Sequence, residues 1–133
     1  MEKLTIVLSF AFFLLIPLTS PRENKALANQ SFLMTQATNN DSEKVMDLVW
    51  RLPEVQQKAA EIRRLSNGKI RVKLMIESTP TKTEPFYTVR LFEDHPDRIV
   101  TLYWFRVNMP EERITVQDEI TGEYVSLEQW RKK

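Results

Sequence analysis

Ile70-Arg71-Val72-Lys73-Leu74-Met75-Ile76-Glu77 is the stretch that decides the fold. Ile70, Val72, Leu74 and Ile76 alternate with Arg71, Lys73, Met75 and Glu77, and period two is the spacing of a strand with one buried face. Downstream, Phe86 to Glu93 reads as a second strand and Ile99 to Asn108, rich in branched and aromatic residues, as a third. Arg113 to Glu119 reads as a fourth. Thr79 to Pro85, Asp94-His95-Pro96-Asp97 and Met109-Pro110-Glu111-Glu112 separate them, and connections this short favour antiparallel neighbours.

Upstream the period changes. Val45, Leu48, Val49, Leu52, Val55, Ala59, Ile62 and Leu65 recur at three- and four-residue steps and form one apolar helical stripe. Asp41 or Ser42 is placed to cap its start, and Asn67-Gly68 to end it. Pro53 lacks a backbone donor but does not break the phase, so the stripe predicts one kinked helix or two nearly coaxial pieces with Pro53 first in the second. Ser126-Leu127-Glu128-Gln129 has the form of a capping box and opens a short terminal helix through Trp130. The expected fold is α+β: one long Pro-kinked helix on a four-stranded antiparallel meander, followed by a short C-terminal helix.

The first residues carry a different signal. Lys3 precedes an apolar run from Leu4 to Ile16 that Pro17 closes, which is the length of a signal-peptide core and short of the roughly 20 residues of a membrane span. Ala26-Leu27-Ala28 offers small residues for cleavage after Ala28, with an uncleaved membrane anchor as the alternative. The expected organisation is a signal peptide over 1–28, a polar leader over 29–41 and one domain over 42–133, exported to the periplasm or beyond. Removal of 1–28 takes away Lys3, Arg22 and Lys25 against Glu2 and Glu23, and brings the formal charge from +1 to zero. A neutral chain lacks the net basic field of a nucleic-acid binder or of a protein held on anionic lipid. With no cysteine, a disulfide framework and a lipid anchor through Cys are both excluded.

Catalytic and metal-binding patterns are sparse. The single histidine, His95, lies in a turn sequence and reads as solvent-exposed; without a second His or any Cys, zinc would need carboxylates for its other ligands. Asp118, Glu119 and Glu123 bracket Thr121-Gly122 without the ligand spacing of a calcium loop. Ser66, Ser78 and Ser126 have no Gly-x-Ser-x-Gly context, and two glycines, Gly68 and Gly122, supply no phosphate-cradling loop. The expectation is a non-enzyme with no cofactor and no metal.

Register then points to a surface. Closing the second and third strands about Asp94–Asp97 sets Leu91 opposite Val100, Val89 opposite Leu102 and Tyr87 opposite Trp104 on the helix-facing side. The other side then carries Phe86, Arg90, Phe92, Tyr103 and Phe105, a concentration of rings that marks a partner-binding face. The competing reading is that the leader or the C-terminal segment folds over those rings, with Trp130 filling the gap; a slipped register would exchange the faces.

The segment Ile114-Thr115-Val116-Gln117-Asp118-Glu119-Ile120-Thr121-Gly122-Glu123-Tyr124 resembles the strand-and-turn ending of PepSY-like domains, small extracytoplasmic modules. Some of these serve as inhibitory or chaperoning segments of secreted proteases, so the resemblance implies a non-catalytic role. The general shape is also similar to cystatins, although their Gln-x-Val-x-Gly inhibitory loop is absent. The leading expectation is therefore an exported binding module, monomeric or weakly dimeric, for a protein or peptide. The alternative is a protease or hydrolase inhibitor that inserts Thr79 to Pro85 into an active site. On the register above, replacing Tyr103 and Phe105 by Ser abolishes partner capture in a pull-down and leaves the fold intact.

Overall fold

The computed structural model describes residues 39–133. The signal peptide, its cleavage at Ala28 and all but the end of the polar leader lie outside the described residues. Helix α1 runs over 39–50 and α2 over Pro53–Leu65, followed by β1 (Arg71–Ser78), β2 (Tyr87–Asp94), β3 (Ile99–Asn108), β4 (Arg113–Gln117), β5 (Tyr124–Ser126) and α3 (Leu127–Arg131). The five strands form one antiparallel sheet in the order β1-β2-β3-β4-β5. The α+β class is as expected, but the sheet has a fifth strand. β5 is three residues long, too short to show a period.

The helical stripe is two helices. Pro53 opens α2, where a missing N–H costs nothing, and Leu52 precedes it in extended backbone (φ −59°, ψ 130°). α2 ends as Asn67-Gly68 predicts: both residues have positive φ, Gly68 N–H donates to Arg63 C=O at 2.8 Å, and Asn67 N–H donates to Arg64 C=O at 3.3 Å. That paired arrangement is the Schellman motif, which satisfies carbonyls orphaned at a helix end. Asp41 and Ser42 do not cap α1, which is already helical at residue 39, inside the segment read as leader. Burial pushes the Tyr87 phenol, packed in the core below the helices, above its ordinary pKa.

The helices cover one face of the sheet. Val45, Val49, Leu52, Val55 and Ile62 from α1, α2 and the link between them pack with Val72, Tyr87, Val89, Leu91, Phe105, Val107 and Val116. The capping box opens α3 as expected: Gln129 N–H donates to Ser126 Oγ, and Ser126 N–H donates to Gln129 Oε1. Trp130 of α3 meets Tyr103 edge-on with ring centroids 5.1 Å apart and Phe105 at 6.2 Å. Arg131 pairs with Glu54, so α3 is tied to α2 on the same side of the sheet.

The register between β2 and β3 differs from expectation, and the faces change with it. Leu91 lies opposite Tyr103, Val89 opposite Phe105 and Tyr87 opposite Val107. Two offsets separate this from the predicted pairing. The turn is longer, so Asp94 pairs with Ile99, a shift of two residues that preserves which side each residue takes. Between Leu91 and Phe92 the register shifts once more, because Leu102 is an extra residue in β3. A bulge of one residue exchanges the faces beyond it. Phe105 is accordingly fully buried under the helices and Tyr103 packs against the same cluster, whereas Trp104 takes the far side. Neither Tyr103 nor Phe105 belongs to the open face.

Replacing Phe105 therefore does not spare the fold. Phe105→Ala is expected to cost about 3–5 kcal/mol in urea unfolding, the range for emptying a core aromatic site. Ser126→Ala is expected to cost about 1 kcal/mol through loss of the cap. Arg131 holds the Glu54 carboxyl below the usual carboxylate range, chiefly through their hydrogen bond. A lowered folded-state pKa gives stability that is present above the unfolded value and lost as pH falls through the folded one. Thermal melts of Glu54→Gln should match the parent's pH slope near neutrality and show a shallower loss of stability below about pH 4.5.

Candidate functional site

The far face of the sheet carries no helix among the described residues, yet it is not polar. Alternation outward from the helix-covered positions places Lys73, Met75 and Glu77 of β1 there, with Arg90 and Phe92 of β2, Trp104 and Arg106 of β3, Thr115 and Gln117 of β4, and Tyr124 of β5. Phe86 precedes β2 and joins them. Lone apolar groups on a surface are ordinary, but rings gathered on one sheet face are not.

Two arginines organise these rings. The Arg90 guanidinium carbon lies 5.4 Å from the centre of the Trp104 ring and 5.8 Å from that of Phe92. Arg106 is closer to its neighbours, 3.8 Å from the Tyr124 ring centre and 4.2 Å from Phe86. A planar guanidinium stacks on an aromatic face in a way that a Lys ammonium does not, so the residue type matters. Phe92 is only 7% exposed although nothing from the helical layer reaches it. Burial pushes the Tyr124 phenol above its ordinary pKa, against the pull of the Arg106 cation, so the ring stays neutral.

The arginines differ in their charge partners. Arg90 pairs with Glu77 at 2.5 Å, both side chains being partly exposed. Arg106 has no carboxylate within salt-bridge distance among the described residues. The Nε atoms of both are buried without a hydrogen-bond partner. A buried donor left unmatched costs about 1–3 kcal/mol. The face thus presents stacked rings together with two guanidiniums, each with its Nε donor unmatched internally.

Of the five residues assigned to this face from sequence, Phe86, Arg90 and Phe92 lie on it, while Tyr103 and Phe105 lie under the helices. Trp104, Arg106 and Tyr124 were missed. The first two change sides with the bulge, and Tyr124 sits on the strand that was not foreseen. A one-residue bulge leaves no mark on a run such as Ile99–Asn108, in which nearly every residue suits a strand.

The remaining candidates resolve into structural roles. His95 is not solvent-exposed: its side chain is 15% accessible, with Nε2 2.6 Å from Glu93 Oε2, while its backbone N–H donates to Arg98 C=O across the turn. Asp118 is buried, accepts the Ile120 and Thr121 N–H groups and pairs with Lys133, so it shapes the turn into β5. Among the described residues no three His, Asp or Glu side chains are grouped to hold a metal, and no helix is long and apolar enough to cross a membrane. The loop over 79–86 is exposed at its tip, where Glu84 N–H donates to Thr81 Oγ1 and Thr81 N–H to Glu84 C=O.

No protein-family model matches the chain, and no curated protein or solved structure is significantly similar to it.

The energetics of Arg106 give a direct test. Its replacement by Met forfeits two guanidinium–ring contacts worth about 0.5–1 kcal/mol each, and removes an unmatched donor whose burial costs a similar amount or more. Arg106→Met should therefore unfold within about 1 kcal/mol of the parent in urea, whereas Arg106→Glu, which buries an unpaired carboxylate among rings, should be clearly less stable.

Proposed function

We propose that this protein is a non-catalytic binding module that captures a protein or peptide partner on the open face of its sheet. The observation that carries the reading is the pair of guanidiniums sandwiched among Phe86, Phe92, Trp104 and Tyr124 with their Nε donors unmatched. Aromatic and arginine side chains are the residues that dominate binding energy at protein interfaces. A partner suited to this face offers carboxylate or carbonyl oxygens to Arg106 and Arg90, and apolar side chains to the rings. Export through a cleaved leader and a role like that of PepSY-like modules are part of the same proposal, supported by the N-terminal sequence and the ending around Thr121-Gly122-Glu123. Phe86, Arg90 and Phe92 are retained from the sequence reading of the site, and Trp104, Arg106 and Tyr124 join them.

Site-specific photocross-linking tests this in the native compartment. A photoreactive residue at Thr115, on the open face, should yield one discrete adduct, and one at Glu61, on the exposed side of α2, should not. Arg106→Met should abolish the Thr115 adduct without changing the amount of folded protein. Equal labelling from both positions, or an adduct indifferent to Arg106→Met, would dismiss the face as a binding surface. Inhibition of a protease by the exposed 79–86 loop predicts instead that adducts form from Lys82 and survive Arg106→Met.

A further inference from the structure

A second surface lies on the helical side of the sheet, along its edge. β1 is a terminal strand, paired only with β2, so the outward backbone N–H and C=O groups along one side of its eight residues have no strand partner among the described residues. Beside that edge, α2 and the start of β1 enclose an open groove of about 970 Å³. Its floor is apolar, formed by Ala59, Ile70 and Val72, Arg63 and Arg64 stand on its helical wall, and Arg71, which alternates to the other side of β1 from Val72, lies at its rim. No acidic side chain lines it, and none of the three arginines is in a salt bridge among the described residues. This is unusual here, since most other cations of the described chain, including Lys58, Lys73 and Arg131, are paired.

We infer that this edge accepts an extended acidic peptide as a sixth strand, its backbone hydrogen-bonding to β1 and its carboxylates set beside Arg71, with Arg63 and Arg64 adding to the positive field from the groove. Charge complementarity selects the occupant. Exposed cations on an edge strand, here Arg71 and Lys73, oppose pairing with an identical edge. The same charges favour a strand bearing Glu or Asp, and strand addition lets backbone bonds supply affinity while alternate side chains supply selectivity. Val72 and Ile70 at the floor then receive the apolar residues of an alternating acidic–apolar segment. The groove and the edge backbone are separate from the rings of the open face, so either function stands without the other.

The test uses fluorescence anisotropy with the purified full-length chain and a labelled peptide alternating Glu and Val over about eight residues, a usual strand length. Binding is expected to weaken with added salt, as it must for exposed charges. The double reversal Arg64→Glu with Arg71→Glu should weaken it by about tenfold or more with an unchanged melting curve, and Arg106→Met should leave it intact. A peptide of the same side chains, N-methylated at alternate backbone positions, should bind at least about tenfold more weakly, because it cannot complete a ladder. Amides within 71–78 should gain hydrogen-exchange protection when the unmodified peptide is added. Equal binding of the N-methylated peptide or of a Lys–Val peptide, loss of binding in Arg106→Met, absence of binding, or sedimentation as a dimer whose contact is broken by Arg71→Glu would each overturn the inference.

Discussion

The extra residue at Leu102 in β3 governs the rest of the molecule. β3 is central in the sheet and carries the densest run of large side chains, so its register distributes rings between the two faces. With the bulge in place, Leu102 and Tyr103 both pack toward the helices and Phe105 follows at the centre of the core, sealed by Trp130. Trp104 and Arg106 are thereby turned outward. Without it, the helical layer would rest on Trp104 and Arg106, and a guanidinium would lie in the apolar interior, where an unpaired charge is costly. The helix-facing cluster of Val45, Val49 and Val55 is thus compatible with only one phase of β3 beyond Leu102.

That choice leaves the outer face with a composition a purely structural surface does not require. Arg90 and Arg106 shield the rings from water by lying over them, which moderates the cost of exposing aromatic area. The shielding is incomplete in energetic terms, because each guanidinium retains a buried Nε donor without a partner. Natural proteins break such local rules at a few places, functional sites among them. The edge groove differs in kind: its arginines are exposed and its floor is apolar, so it offers charge and a backbone ladder instead of a stacked platform.

Local features were legible from the residues. Pro53 at the first position of α2, the Asn67-Gly68 terminus and the Ser126–Gln129 box each act over three or four residues, and each was found where its chemistry places it. The alternation of β1 and the limits of β3 were legible for the same reason. Features that depend on a partner strand were not. Tyr124–Ser126 becomes a strand only because Gln117, Val116 and Thr115 lie beside it. His95 was placed correctly in a turn, but its ring is withdrawn from solvent by a carboxylate two residues away that also reads as surface. Of the site, Phe86, Arg90 and Phe92 were recoverable because β2 carries no bulge of its own; Trp104 and Arg106 were not.

The sequence by itself determined the α+β class, the four longer strands, the end of α2 and the start of α3, since hydrophobic period and capping chemistry are properties of neighbours along the chain. Only the tertiary structure decided which rings are core and which lie on the open face. Side-chain direction in a sheet has period two, so one inserted residue reverses it, and whether a residue is inserted depends on how two strands pair and on what the helices demand beneath them.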